Sequence, residues 1–138
     1  METSEVFERP FPALTPAQRY HLDVFGYVVV ENTLSAAEVG RLLEAMQRLK
    51  HDLVAAGEGG VVRGCRFSAH HPHHCHFAHI LEADPAIYDY LTHPRLVGFA
   101  EELVGGSVRL EESEAVINRR PDEELAADAP FGFHTGTN

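Results

Sequence analysis

The stretch Gly26-Tyr27-Val28-Val29-Val30-Glu31-Asn32-Thr33-Leu34-Ser35-Ala36-Ala37-Glu38 carries the signals of a strand, a turn and the start of a helix. Residues 27–31 are β-branched or aromatic up to the closing glutamate, and this composition favours a strand. Asn32, which follows this predicted strand, is a residue type typical of turns. Ser35 and Glu38 have the spacing of a capping box. The stretch therefore predicts a strand that leads directly into a helix.

The helix that Ser35 opens is expected to pack in the core. Its apolar residues recur at helical spacing and form one stripe, made of Val39, Leu42, Leu43, Met46, Leu49 and Leu53. Gly57 is expected to end the helix. We interpret the stripe as a core face and not as a cofactor surface, because its side chains offer only apolar contacts.

Before the opening stretch, the sequence predicts one short helix. Thr15 and Gln18 form another capping box, and Pro16 occupies the first helical position. The helix is expected to run to about Phe25 and to end at Gly26. The residues expected to face inward are Tyr20 and Val24.

Residues 57–79 contain six of the ten histidines and are predicted to be irregular. The candidate metal ligands in this segment are His70, His71, His73, His74, Cys75, His76 and His79. Imidazole and thiol groups are the ligand types of zinc or copper. Their spacing is not that of a known zinc finger, however, and Pro72 prevents a helix that would place two imidazoles one turn apart. A polar loop rich in histidine is the favoured interpretation, and a metal site is the alternative.

Two more helices are predicted downstream. One begins at Asp84, with inward residues Ile87, Tyr88 and Leu91. The other begins near His93 and stops at Gly105. Its expected buried residues are Leu96, Val97, Ala100, Leu103 and Val104.

Residues 107–120 are predicted to be a strand region. Val108 and Leu110 alternate with charged residues, and residues 115–117 form a second apolar piece. The glutamates Glu111, Glu112 and Glu114 are interpreted as a solvated face or a turn, not as a catalytic cluster. An acidic loop, 121–129, follows. Helices and one strand, followed by antiparallel strands, predict an α+β domain with helices packed on a β core.

Length and composition narrow the class of protein. The 138 residues suffice for one domain, expected over residues 14–138 after an extended arm over residues 1–13. A net charge of -10 and a pI of about 5.4 argue against nucleic acid as a partner. No apolar run approaches the length of a membrane span, and the first residues lack the features of a signal peptide, so we expect a cytoplasmic location and no membrane partner. Cys65 and Cys75 do not make a disulfide scaffold.

The C-terminal stretch Pro130-Phe131-Gly132-Phe133-His134-Thr135-Gly136 places a histidine between aromatic and small residues. Imidazole is the commonest metal ligand and a general base. A half-buried histidine of an edge strand is the ordinary alternative. The elements that precede His134 favour a functional role.

Three stretches carry a resemblance when they are taken together. They are residues 20–39, residues 92–105, and residues 115–121 followed by Phe133-His134-Thr135-Gly136. Their order resembles the N-terminal half of the phytanoyl-CoA dioxygenase family, the iron(II)/2-oxoglutarate oxygenases. The resemblance covers nearly all of the chain from Leu14 onward. It implies N-terminal helices packed on a partial double-stranded β-helix core (jelly-roll or cupin-like), truncated at the C-terminus.

The resemblance also implies a cofactor site. His134 corresponds to the first iron(II) ligand, and Asn118 corresponds to a polar residue that lies against 2-oxoglutarate. Iron is held in this family by two histidines and one carboxylate, which leave three positions for 2-oxoglutarate and oxygen. Gly136 stands where the family usually has that carboxylate. Halogenating relatives share this departure; a ligand supplied from elsewhere, loss of the metal, or a glycine that lets the strand turn are the other interpretations. Asn118 has a structural alternative as an amide that caps the strand end.

The enzyme hypothesis is therefore a dioxygenase that hydroxylates a small organic or acyl substrate and releases succinate and CO2. The family's second histidine and its 2-oxoglutarate-binding arginine lie downstream of the first motif, so the chain ending at Asn138 is expected to be a fragment that is inactive alone. Two alternatives remain: a metal-binding protein that uses the histidine-rich segment, and an inactive jelly-roll fragment that acts by contact with a partner.

Overall fold

The computed structural model describes residues 13–71 and 74–118. In chain order the elements are α1 (Pro16–Phe25), α2 (Ala36–Ala56), β1 (Arg66–His71), β2 (His74–Ala78), α3 (Pro85–Leu91), α4 (Pro94–Val104) and β3 (Glu114–Asn118). The α+β prediction is confirmed. The arm up to residue 12, the loop 121–129 and the motif around His134 lie outside the described residues. None of the described helices is long and apolar enough to cross a membrane.

Both predicted capping boxes are present. Gln18 N–H donates to Thr15 Oγ1 over 3.3 Å, and Thr15 N–H donates to Gln18 Oε1 over 2.9 Å. At α2, Glu38 N–H donates to Ser35 Oγ over 3.2 Å, and Ser35 N–H donates to Glu38 Oε2 over 2.6 Å. Hydrogen bonds to the Ser35 backbone and side chain hold the pKa of Glu38 below its usual value. Each box satisfies N–H groups that a helix start leaves without partners, so these helices begin where predicted.

The core lies between α2, α3 and one face of the sheet. Its buried members are Ala45, Met46, Leu49, Leu53, Cys65, Cys75, Phe77, Ile80, Ala83 and Ile87. The C-terminal part of the predicted α2 stripe is thus confirmed as core. Val39 and Leu43, in its N-terminal part, are about half exposed, which corrects the prediction for these two residues.

The predicted inward faces of α1 and α4 are wrong at several positions. Tyr20 and Val24 on α1 are exposed, as are Leu103 and Val104 on α4. Helical spacing predicts a buried face only where another element covers it. Within the described residues, α1 meets α4 through a polar contact, because Arg19 Nη1 on α1 donates to Glu102 Oε1 on α4 over 3.5 Å. On α3, Ile87 is buried as predicted, whereas Tyr88 is exposed.

Residues 27–31 do not form the predicted strand. The described sheet has the order β1-β2-β3 and does not include them. Val29 is 71 % exposed and Tyr27 is 59 % exposed. β-branched composition favours an extended chain, but a strand also needs a neighbour to satisfy its backbone groups.

The segment 57–79, predicted to be irregular, is irregular over residues 57–65 but forms strands over Arg66–His71 and His74–Ala78, which corrects the prediction there. β1 and β2 are antiparallel, and their register pairs His71 with His74 and His70 with Cys75. β2 in turn pairs with β3, which places His74 opposite Asn118. Up to Asn118, where the described residues end, the strand region predicted over 107–120 is confirmed over Glu114–Asn118, because residues 107–113 have no strand structure.

The start of α3 is linked to α2 by a charged pair. Asp84 caps α3 by accepting from Ala86 N–H over 3.0 Å, and its other oxygen accepts from Arg48 over 3.1 Å. Burial alone raises the pKa of Asp84, but the hydrogen bond from Ala86 and the Arg48 guanidinium outweigh burial and lower it below its usual value. A carboxylate with a lowered folded-state pKa stabilises the fold above its unfolded pKa of 3.8, and this contribution is lost as the pH falls through the folded value.

We expect Asp84→Asn to lower the free energy of unfolding at neutral pH by roughly 1 kcal/mol, because asparagine keeps the cap but loses the charge, and the pair is partly exposed. Urea unfolding at several pH values tests this. The difference between the two proteins is expected to shrink as the pH falls below about 4. Asp89→Asn, an exposed position on the same helix, is the control. A difference for Asp84→Asn that is the same at every pH would contradict the assignment to charge.

Candidate functional site

The two faces of the sheet differ in chemistry. Side chains alternate between faces along a strand. Cys75 and Phe77 on β2 are buried in the core, and Ala115 and Ile117 on β3 pack against it. The opposite face, called here the polar face, carries mostly residues that are exposed or partly exposed. It includes His71, His74, His76, Glu114, Val116 and Asn118, together with Ala69 and the buried Ala78.

Four side chains of the polar face form two hydrogen-bonded pairs between β2 and β3. His74 Nδ1 lies 2.8 Å from Asn118 Oδ1, and these two residues are directly opposite in the register. His76 Nε2 lies 3.0 Å from Glu114 Oε2. This second contact is diagonal, since the register partner of His76 is Val116. The rings of His74 and His76 are 6.3 Å apart between centroids and are inclined by 70°. The two pairs therefore place two imidazoles, an amide and a carboxylate next to one another on the polar face. These four residues, His74, His76, Glu114 and Asn118, are called here the row.

Among the other candidate ligands of the histidine-rich segment, His71 lies on the polar face opposite His74 in the register, and it forms no described metal-holding group with His74 and His76. His70 stacks on Phe67, with ring centroids 4.4 Å apart and an interplanar angle of 6°. Cys75 is buried on the core side, and its Sγ lies 3.8 Å from the carbonyl oxygen of His71. His79 follows β2 with a φ of 61° and is exposed, and His73 lies outside the described residues. Over residues 13–71 and 74–118, no group of three or more His, Cys, Asp or Glu side chains is arranged to hold a metal ion.

The two cysteines are free and buried. Burial raises the pKa of the Cys65 thiol, against a smaller opposite effect of Arg63. The neutral thiol is therefore favoured at Cys65, whereas a metal ligand or nucleophile needs the thiolate. We assign both cysteines to the core, where they act as small apolar residues.

Of the residues proposed from the family resemblance, Asn118 is the one whose place is described. It is the exposed last residue of β3, and among the described side chains its hydrogen-bond partner is His74. His134 and Gly136 lie outside the described residues. Glu114 is the residue that sequence reasoning missed, because it was interpreted as solvated. The alternation His74-Cys75-His76-Phe77 is the signal that could have revealed β2 and its polar side.

Comparisons with protein-family models, curated proteins and solved structures found no match for this chain. The assignments of the α+β arrangement and of the polar face therefore rest on the geometry of this chain alone. The relation to the phytanoyl-CoA dioxygenase family remains a proposal, which rests on the three sequence stretches.

Proposed function

We propose that this chain is the N-terminal portion of an iron(II)/2-oxoglutarate-dependent dioxygenase of the phytanoyl-CoA dioxygenase type. Its substrate is a small organic or acyl molecule, and its co-products are succinate and CO2. The observation that carries the proposal is the order of the three sequence stretches, and the position of Asn118 supports it. This residue ends β3 on the polar face beside two imidazoles, and the segment with His134 follows it in the chain. We extend the proposal to the fold: the sheet is part of a jelly-roll core with the helices on its outer side.

The NH2 group of Asn118 suits 2-oxoglutarate. The amide oxygen of Asn118 is occupied by His74 Nδ1. Its NH2 group points to no side-chain partner within the described residues, and an amide N–H is a good donor to a carboxylate. We therefore propose Asn118 as a residue that orients a carboxylate of 2-oxoglutarate.

The described residues do not supply the iron ligands of this proposal, because His134 lies beyond Asn118 and no described group of three side chains fits a metal. When bound, iron and 2-oxoglutarate supply the oxidising chemistry that amino-acid side chains lack. The described residues contribute binding and orientation. Phe77 and Cys75 fix β2 in the core, β2 fixes β3 through the ladder, and β3 holds Asn118 at a defined position.

The test is turnover of 2-oxoglutarate by the protein produced from its natural gene. Purified protein is incubated with iron(II), ascorbate, oxygen and labelled 2-oxoglutarate, and the release of CO2 and succinate is measured. We expect release of CO2 and succinate that requires iron and that increases when the small organic or acyl substrate is added. Parallel reactions with and without chloride ask whether Gly136 leaves a position for a halide. No release above the protein-free reaction under any of these conditions would contradict the proposal.

Substitution of Asn118 tests the proposed contact with 2-oxoglutarate. Asn118→Asp keeps an oxygen that accepts from His74 but replaces the donor NH2 by an oxygen that repels a carboxylate. We expect the KM for 2-oxoglutarate to rise about tenfold or more, because a hydrogen bond to a charged group contributes roughly 1.5–3 kcal/mol. Val116→Ala, two residues earlier on the same face, is the control and is expected to leave this KM unchanged. An unchanged KM in Asn118→Asp would assign Asn118 to the alternative role of a strand-end cap.

A further inference from the structure

The two histidines of the row have hydrogen-bond partners that can only accept. Asn118 Oδ1 is an amide oxygen and Glu114 Oε2 is a carboxylate oxygen, so in each pair the ring nitrogen carries the hydrogen. In the neutral rings, the hydrogen is therefore on Nδ1 of His74 and on Nε2 of His76. The lone pairs are then on His74 Nε2 and His76 Nδ1. Each ring thus presents one nitrogen that can bind a metal ion.

This is the arrangement in which proteins hold metal-binding histidines. A histidine ligand usually donates its other ring N–H to a carboxylate or carbonyl oxygen, which fixes the tautomer and the ring orientation. Both histidines of the row have such a partner on β3, and both stand on the same face of β2. An ion bound about 2 Å from each nitrogen lies roughly 3 Å from each ring centre, so two rings on one ion are up to about 6 Å apart. The observed centroid distance of 6.3 Å lies slightly above that limit. The two rings therefore turn toward each other when one ion binds both of them.

We infer that His74 and His76 form a binding site for a divalent transition-metal ion such as Zn²⁺ or Cu²⁺, with Asn118 and Glu114 as the residues that orient the two rings. Because the described residues hold no third His, Cys, Asp or Glu in place, water or an added anion fills the other coordination positions. The site does not include the proposed iron ligand His134 and does not rest on the proposed function.

The positions of the other candidate ligands distinguish this two-histidine site from a histidine tract. His70 stacks on Phe67 away from the polar face, and Cys75 is buried on the core side. A tract that binds metal through composition alone depends on all of its histidines to a similar extent. A site made by His74 and His76 depends on these two far more than on His70 or His79.

Zinc titration of the full chain tests the ligands, with binding followed by calorimetry. We expect His74→Gln and His76→Gln each to weaken zinc binding at least tenfold, because glutamine keeps a polar amide but lacks the ring nitrogen. The matched controls His70→Gln and His79→Gln are expected to change affinity less than twofold, and His134→Ala is expected to have no effect. Glu114→Ala, which frees the ring of His76, is expected to weaken binding about tenfold. Equal losses in all four glutamine variants, or no loss in the first two, would overturn the inference.

The tautomers give a second test that needs no substitution. Long-range ¹H–¹⁵N correlation spectra are recorded well above the ordinary histidine pKa of about 6.5, before and after zinc is added. We expect protonated Nδ1 in His74 and protonated Nε2 in His76, with zinc shifting His74 Nε2 and His76 Nδ1. The opposite tautomers, or zinc-induced shifts confined to other histidines, would overturn the inference.

Discussion

In the protein produced from its natural gene, replacing His134 by alanine is expected to abolish iron binding and to reduce succinate release to the level of the protein-free reaction. Iron(II) in the proposed class is held by few side chains. Gly136 offers no side-chain ligand, so the imidazole of His134 is the one side-chain ligand that this motif supplies. The iron content of protein loaded without oxygen and the rate of succinate release are the two measurements.

His51→Ala is the matched control for this substitution. Its side chain lies on α2 and is 84 % exposed, so its loss is expected to leave both iron content and turnover unchanged. If His134→Ala bound iron and turned over 2-oxoglutarate like the unmodified protein, His134 would not be an iron ligand. That result would contradict the proposed function.

Replacing Phe77 by alanine is expected to lower the free energy of unfolding by about 3–5 kcal/mol. Phe77 is fully buried, and its ring lies 5.1 Å from that of Phe67 between centroids. Its removal leaves a cavity at the point where β2 meets the helices. Since small domains are stable by roughly 5–15 kcal/mol, the variant is expected to be partly unfolded at physiological temperature. Urea unfolding at low temperature gives the value.

Val116→Ala provides the comparison on the other side of the sheet. Val116 is about half exposed on the polar face, and its truncation is expected to cost less than about 1 kcal/mol. Similar losses for the two variants would show that the core does not lie on the Phe77 side, in contradiction to the described packing.

The helix starts were predictable because their signals are local. A capping box needs only residues three apart, and both boxes occur where the sequence places them. The burial of α1 and α4 was not predictable in the same way. The spacing of Tyr20 and Val24 describes a face of a helix, but the element that covers a face is set by the tertiary arrangement.

The strands show the same division between local and distant information. Residues 27–31 have the composition of a strand, but the described sheet forms elsewhere. In residues 66–78, Pro72 and the many histidines favoured a loop over the alternation along β2. Whether such a segment forms a strand depends on the strand that pairs with it, and the sequence of one strand does not specify its partner.

The sequence predicted only part of the candidate site, because the contacts in it join strands that are distant in the chain. Asn118 was proposed only from the family resemblance, which left its surroundings open. The contacts of Glu114 with His76 and of Asn118 with His74 depend on the register between β2 and β3, residues about forty positions apart in the chain. The sequence therefore indicated one residue of the row and the histidine-rich segment, while the structure supplied the pairing between them.

The most direct test of the proposed function is the visible absorption spectrum of the protein from its natural gene, mixed with iron(II) and 2-oxoglutarate without oxygen. A 2-oxo acid chelated to protein-bound iron(II) gives a charge-transfer absorption that neither component gives alone. We predict an absorption that saturates with 2-oxoglutarate, weakens in Asn118→Asp and is absent in His134→Ala. A spectrum equal to the sum of its components at saturating iron and 2-oxoglutarate would contradict the proposal.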